Sequence, residues 1–271
     1  MAAFIRRQAD NCERSRFMRI DSWDLMGEEW MKQVTEEIYF IKGQDEMIPD
    51  SHVFVIGQPS SGDLSLIDAG LVGKGKHKIQ SLENAGYQLS DVKRIILTHT
   101  HFDHIGCLSE ILQSIPHAEI WVHESEGTSL EEGDEKTVYG MSMFENMCQA
   151  QYGLKPGAFT FKVHRKLKGG DVLTIGGMKW EVLHIPGHSR GSIALYNRSG
   201  KILIPGDTVY SDYAIGRFDL HGASGPELKE SLLALADLQV DILLPGHNRI
   251  VENLPPGYIL KTANQWAPYL G

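Results

Sequence analysis

Cysteine is scarce in this chain: Cys12, Cys107 and Cys148 are the only three among 271 residues. Their number and spacing exclude a disulfide framework and a cysteine-based metal knot, and they fit reduced thiols in a cytoplasm. Basic residues are outnumbered. Lysine and arginine total 26 against 35 acidic residues, a formal net charge of -9, and nucleic-acid binding calls for the opposite balance. Long apolar runs are missing as well. None reaches the roughly 20 residues of a membrane span, and the arginine-rich first 19 residues lack the apolar core of a secretory leader. What remains is 42% hydrophobic and long enough to bury one substantial core. The expected organisation is an N-terminal extension, 1–33, followed by a single domain, 34–271.

The extension carries Trp23, Met26, Trp30 and Met31 at helical spacing. They predict a helix capped near Asp21 or Ser22, serving for packing or for contact with a second copy of the chain. Beyond it, short apolar runs predict strands at 38–41, 53–56 and 64–67, the last two joined as a hairpin. A helix over 74–85, a strand at 95–97, a helix over 105–115 and a strand at 118–122 follow. Strand patterning returns at 172–175, 179–184, 192–196 and 202–204. Leu228, Leu232, Leu235 and Leu238 then mark one face of a helix over 226–238, before a last strand at 241–244. Between the two halves, residues 124–168 are too long for a plain connection. Met141, Met143, Phe144 and Met147 in that stretch read as core, or as an adaptable pocket wall.

The chemistry concentrates in Thr98–Gly106. His99, His101, Asp103 and His104 fall within six positions, on the turn leaving the apolar strand that ends at Leu97. Imidazole nitrogen and carboxylate oxygen suit zinc, and also iron or manganese. Without an ion to bind, desolvating so many polar groups is costly.

This His-x-His-x-Asp-His run is followed in order by His184–Ser189, Gly206–Thr208 and Pro245–His247, and preceded by Leu66–Gly70. The set resembles the metallo-β-lactamase-fold hydrolases. The resemblance implies an α+β fold, an αββα sandwich of two mixed sheets flanked by helices, with 124–168 as a cap-like insertion. It also implies two divalent ions, zinc first, with iron or manganese as the ions the same donors accept. His99, His101 and His188 would hold one ion, Asp103, His104 and His247 the other, and Asp207 would bridge them. Two ions 3.5–4 Å apart share a hydroxide and so supply a nucleophile at neutral pH, as is common in roughly this geometry. Asp68 would hydrogen-bond the free nitrogen of a ligand histidine.

By the same resemblance Asp103 counts as catalytic as well as ligating. Tyr210, three residues after Asp207, matches the catalytic tyrosine of lactonases in the family, or else is a packing residue. Phe144, Met147 and Arg249 are candidates for substrate binding, Arg249 through a substrate carboxylate. His184 reads as structural, as do His52, His77, His117, His123, His164 and His221, and Cys107 as a small buried hydrophobe. The expected activity is hydrolysis of an ester-type bond, a thioester or a lactone, on a small-molecule substrate in the cytoplasm. No nucleic-acid or membrane partner is expected, and a homodimer is left open. The alternatives are a mononuclear-iron persulfide dioxygenase using His99, His188 and Asp207, and a phosphodiester hydrolase.

Overall fold

The computed structural model describes residues 31–44 and 48–271; the predicted helix carrying Trp23, Met26 and Trp30 lies outside the described residues. The apolar runs of the first half become β1 (Lys32–Gln33), β2 (Ile38–Ile41), β3 (Val53–Ile56), β4 (Leu64–Ile67), β5 (Val92–Ile96), β6 (Glu119–His123) and β7 (Arg165–Leu167). They lie side by side in that order in one sheet. Strands β1 to β4 pair antiparallel, and β4 to β7 pair parallel. Parallel neighbours need a crossover. It is supplied by α1 (Gly75–Asn84), by α2 (Phe102–Ile105) with α3 (Leu108–Ser114), and by α4 (Glu124–Glu132), α5 (Glu135–Tyr139) and α6 (Ser142–Tyr152).

The second sheet holds β8 (Val172–Ile175), β9 (Met178–His184), β10 (Ile193–Asn197), β11 (Ile202–Ile204) and β12 (Ile242–Leu243). Its strands run antiparallel from β8 to β11, and β12 joins β11 in parallel. Outside it lie α7 (Gly225–Ala236) and α8 (Tyr258–Trp266). Helix α7 starts where Ser224 Oγ accepts the Glu227 amide, with Pro226 in the first turn. Among the described residues no helix is long and apolar enough to cross a membrane.

Side-chain alternation assigns the layers. Val53, Val55, Leu66, Ile95 and Val122 pack with α1 and α3 residues such as Ile79, Leu82 and Ile111. Phe54, Ile56, Ile67 and Ile96 point the other way and are equally buried, as the inner face of a sandwich requires. On the far side Leu228, Leu232 and Leu235 of α7 cover Ala194, Tyr196 and Leu203, each buried leucine contributing about 1.5–3 kcal/mol. Both sheets are thus covered by helices: an αββα sandwich.

Several details depart from the sequence expectations. Strand β1 falls inside the segment assigned to the extension, because Lys32 and Gln33 pair with Phe40 and Tyr39. The helix expected over 105–115 forms only as α3 over Leu108–Ser114, after the separate short α2 that ends at Ile105. Gly106 packs against the Leu71–Val72 backbone, and the Cys107 amide turns to the Gly70 carbonyl, which interrupts the helical ladder. Residues 124–168 hold three helices, and their end is no cap: β7 pairs with β6. Helix α8 was not expected at all.

Candidate metal centre

The site forms where the loops leaving β4, β5, β9, β11 and β12 meet. Backbone bonds tie them: Ile193 N to Thr98 O at 2.9 Å, Gly246 N to Gly206 O at 2.9 Å and His52 N to Gly246 O at 2.8 Å. Gly246 is required by close approach, since a Cβ there would lie 2.3 Å from Asp207 Oδ1. Asp68 adopts a left-handed backbone (φ 63°) at the end of β4, a conformation that side-chain function commonly explains. From there its carboxylate accepts from Thr98 N (2.7 Å) and Thr98 Oγ1 (2.8 Å), and pairs with His104 Nδ1 at 2.8 Å.

The seven expected donors come together in two groups, His99, His101 and His188, and Asp103, His104, Asp207 and His247. In each group one donor atom per residue lies within 4.8 Å of the rest. The outward nitrogens are anchored: His99 Nδ1 on Thr98 Oγ1 (3.1 Å), His104 Nδ1 on Asp68, and His188 Nδ1 on the Arg217 carbonyl (2.7 Å). A carbonyl only accepts, so His188 Nδ1 donates to it and Nε2 is the nitrogen turned inward. That Nε2 lies 2.9 Å from His101 Nδ1 and 3.7 Å from Asp207 Oδ2. His104 Nε2 is 3.2 Å from Asp207 Oδ1, and His247 Nε2 is 3.0 Å from Asp103 Oδ2 and 3.4 Å from Asp207 Oδ2. Asp207 therefore stands between the groups.

The electrostatics divide the same way. Burial, and then its imidazole neighbours, hold His99 well below the usual histidine range and bring His101 down to about 3. Burial opposes protonation of His104 and His247 too, but Asp207 with Asp68 or Asp103 outweighs it. His104 is raised well above its usual value and His247 to about 10. The residues fit metal ions by an independent sign: His99 Nε2 and His101 Nε2 are buried with no hydrogen-bond partner. Such atoms are rare without a ligand to receive them.

The site opens into a cavity of about 350 Å³. Ile48, Phe102, Val138, Tyr139, Phe144 and Leu220 supply its apolar wall, and Tyr210, Arg217 and Asn248 its polar groups besides the donors. Tyr210 is half-buried beside Asp207; burial and that carboxylate push its phenol well above the usual tyrosine range. Two of the substrate-binding candidates stand apart from the cavity lining. Arg249 lines no part of the cavity; its guanidinium lies 2.7 Å from Asp212 with 60% of the side chain exposed. Met147 is half-buried but also absent from the lining, where α6 contributes Phe144 and Cys148. The cavity's arginine is Arg217, stacked on Phe144 at 5.2 Å and paired with Asp219 at 2.7 Å. Sequence reasoning missed it, because nothing near it in sequence carries a motif.

His184 is exposed, stacked on His123 and bonded to the Arg190 carbonyl. Cys107 is buried and directed at the Leu71 carbonyl. His52 is buried beside the site rather than in it, and Glu126 ties two of the site loops.

Comparison with known proteins agrees with this geometry. The acyl-coenzyme A thioesterase MBLAC2 of Gallus gallus is 35% identical over 158 residues, covering 56% of this chain and 55% of its own. The chain thus spans about half the length of the curated thioesterases it matches. The B3 metallo-beta-lactamase BLEG-1 superposes with a TM-score of 0.63 at 25% identity, over 78% of this chain and 93% of that one. TTHA1623, in a di-iron-bound form, does so with a TM-score of 0.59 at 25% identity and the same coverage. The family model described as the metallo-beta-lactamase superfamily matches residues 49–247, and the chain belongs to that superfamily.

Proposed function

We propose that this metallo-hydrolase cleaves a thioester, with two divalent ions held by the seven converging donors. His99, His101 and His188 would hold one ion and Asp103, His104 and His247 the other, with Asp207 between them. The observation that carries the reading is the pairing of two complete donor groups with a largely apolar cavity wall, suited to an acyl chain. The acyl-coenzyme A thioesterase among the relatives supports it. When bound, such ions lower the pKa of a shared water and polarise a carbonyl; zinc suits the donors, as do iron and manganese.

The chain's own groups supply the rest. Asp68 and the Arg217 carbonyl fix two of the imidazoles in their ligating orientation. Tyr210, kept protonated, is a donor for the carbonyl oxygen as it gains charge. Phe102, Val138, Tyr139 and Phe144 exclude bulk water from the acyl side. Arg217 offers a cation to an anionic part of the substrate. Net, the C–S bond breaks, water adds to the acyl carbon, and a thiol leaves.

A lactone is the second reading, favoured by Tyr210 standing beside Asp207. Nothing in the site favours persulfide oxidation, which leaves four donors without use. The test is a panel of acyl thioesters, lactones, β-lactams and phosphodiesters on metal-loaded protein of measured metal content. Turnover of thioesters above the other classes is expected; turnover of phosphodiesters alone would overturn the reading.

A further inference from the structure

Glu126 takes no part in the chemistry above, yet it is 1% exposed. It occupies the third position of α4, where a glutamate ordinarily turns back to cap its own helix. Here it turns away. Oε2 accepts from Thr100 N at 2.9 Å and from Thr100 Oγ1 at 2.8 Å, and Oε1 accepts from Gly191 N at 2.9 Å. Thr100 lies between His99 and His101, and Gly191 lies three residues after His188. One carboxylate thus holds both loops that carry the three imidazoles of the first donor group. Room for it depends on Gly191, whose Cβ would lie 2.8 Å from Glu126 Cγ.

We propose that Glu126 is the positioning residue of the first donor group, clamping the His99–His101 loop to the His188 loop at the separation a shared ion requires. The inference rests on the reading that this group holds a metal ion. Geometry gives the clamp its consequence. His101 and His188 approach to 2.9 Å from opposite loops, with no hydrogen-bonded neighbour to fix the Nε2 atoms of His99 and His101. The rings' other nitrogens are held within and between these same two loops, His99 Nδ1 on Thr98 Oγ1 and His101 Nδ1 on His188 Nε2. The alignment of the inward nitrogens therefore follows how the loops are held to each other. A buried carboxylate with three charge-assisted bonds is a stiff tie, and it makes the first helix of the 124–168 segment part of the metal site.

The experiment uses the full chain carrying Asp103→Ala, which removes a donor from the second group and leaves the first intact. Metal-free protein is titrated with zinc against a chelator, and separately with cobalt(II), whose visible bands report the geometry of its donors. Glu126→Ala is expected to weaken that one ion by about 10–100-fold and to alter the cobalt bands. Glu126→Gln keeps one accepting oxygen but turns an amide donor toward another donor, so its loss is expected to be smaller. Thr100→Val removes one of the three bonds with little change of shape. A several-fold loss is expected from it, and it decides the matter if neither Glu126 variant folds. Unchanged zinc affinity and cobalt bands overturn the proposal, even if the metal-free variant melts earlier, because that marks a tie of the fold alone. If the Asp103→Ala parent itself binds no ion, the metal-centre reading falls, and this proposal with it.

Discussion

A neutral histidine in the wrong place costs stability in acid, and His52 shows how. Gly43 N donates to its Nδ1 at 3.0 Å, so the ring proton sits on Nε2, 2.7 Å from the Asn248 carbonyl. A second proton would oppose the Gly43 amide inside a buried site. Burial first, helped by His247 and Lys78, lowers the pKa from 6.5 to about 3. Between those values the unfolded chain binds the proton more readily. Stability is therefore full above about pH 6.5 and falls as pH drops toward about 3, by up to about 1.4 kcal/mol per unit. Urea denaturation from pH 6.5 to 4.5 is expected to show a shallower acid slope for His52→Gln than for wild type; equal slopes would deny His52 this role. Tyr210 is the second residue whose proton matters. Tyr210→Phe removes one hydroxyl and little volume, and loss of a donor to a developing oxyanion costs about 10²–10³ in kcat. A fall in kcat of at least about tenfold is expected on the best thioester or lactone, with metal content unchanged. A rise in KM alone would assign the phenol to substrate binding instead.

At the scale of elements, β2 to β5, β8 to β11 and α7 were legible because their apolar periods are local and regular. Helix α8 was not. Its buried Tyr258, Ile259, Thr262 and Ala263 follow directly on Pro255, Pro256 and a left-handed Gly257, residue types that ordinarily punctuate a chain rather than open a helix. The site divides along the same line. His99 to His104 are legible because metal binding crowds donors into a few positions, whereas Glu126, Arg217 and His52 act only through neighbours that the fold brings from elsewhere. The segment 124–168 shows both sides. Its apolar residues read as core or as a pocket wall, and only the packing of α5 and α6 selects Val138, Tyr139, Phe144 and Cys148 for the cavity and leaves Met143 60% exposed. Phe144→Ala is therefore expected to shift the preferred acyl-chain length, measured as kcat/KM across a thioester series. The same change at Met143 leaves the series as it is. An identical profile for Phe144→Ala and wild type would make α6 a purely structural cover. Removing a half-buried aromatic from one wall also frees Arg217, which stacks on it, so KM for anionic thioesters is expected to change along with chain preference.

Across the whole molecule, the donors come from both sheets. His99, His101, Asp103 and His104 follow β5 of the seven-stranded sheet, while His188, Asp207 and His247 follow β9, β11 and β12 of the five-stranded one. Ions held between them would cross-link the halves, as the buried Lys78–Asp50 pair at 2.8 Å links α1 to the loop before β3. The cross-link has a measurable signature. A ligand that binds only the folded state stabilises it by RT ln(1 + [L]/Kd), so well above Kd each bound ion adds about 1.4 kcal/mol per tenfold rise in free metal. Two ions per chain predict a slope of about 2.8 kcal/mol per decade of buffered free zinc, read from urea denaturation. Asp103→Ala, keeping only the first group, is expected to give about 1.4, with elemental analysis falling from about two ions to about one. Asp207→Ala is expected to be worse than Asp103→Ala, because its carboxylate stands within 3.2–3.7 Å of His104, His188 and His247 and so serves both groups. A wild-type slope of about 1.4 would show a single ion stapling the sheets, and the second donor group would then be a network of charges that serves the fold without a metal.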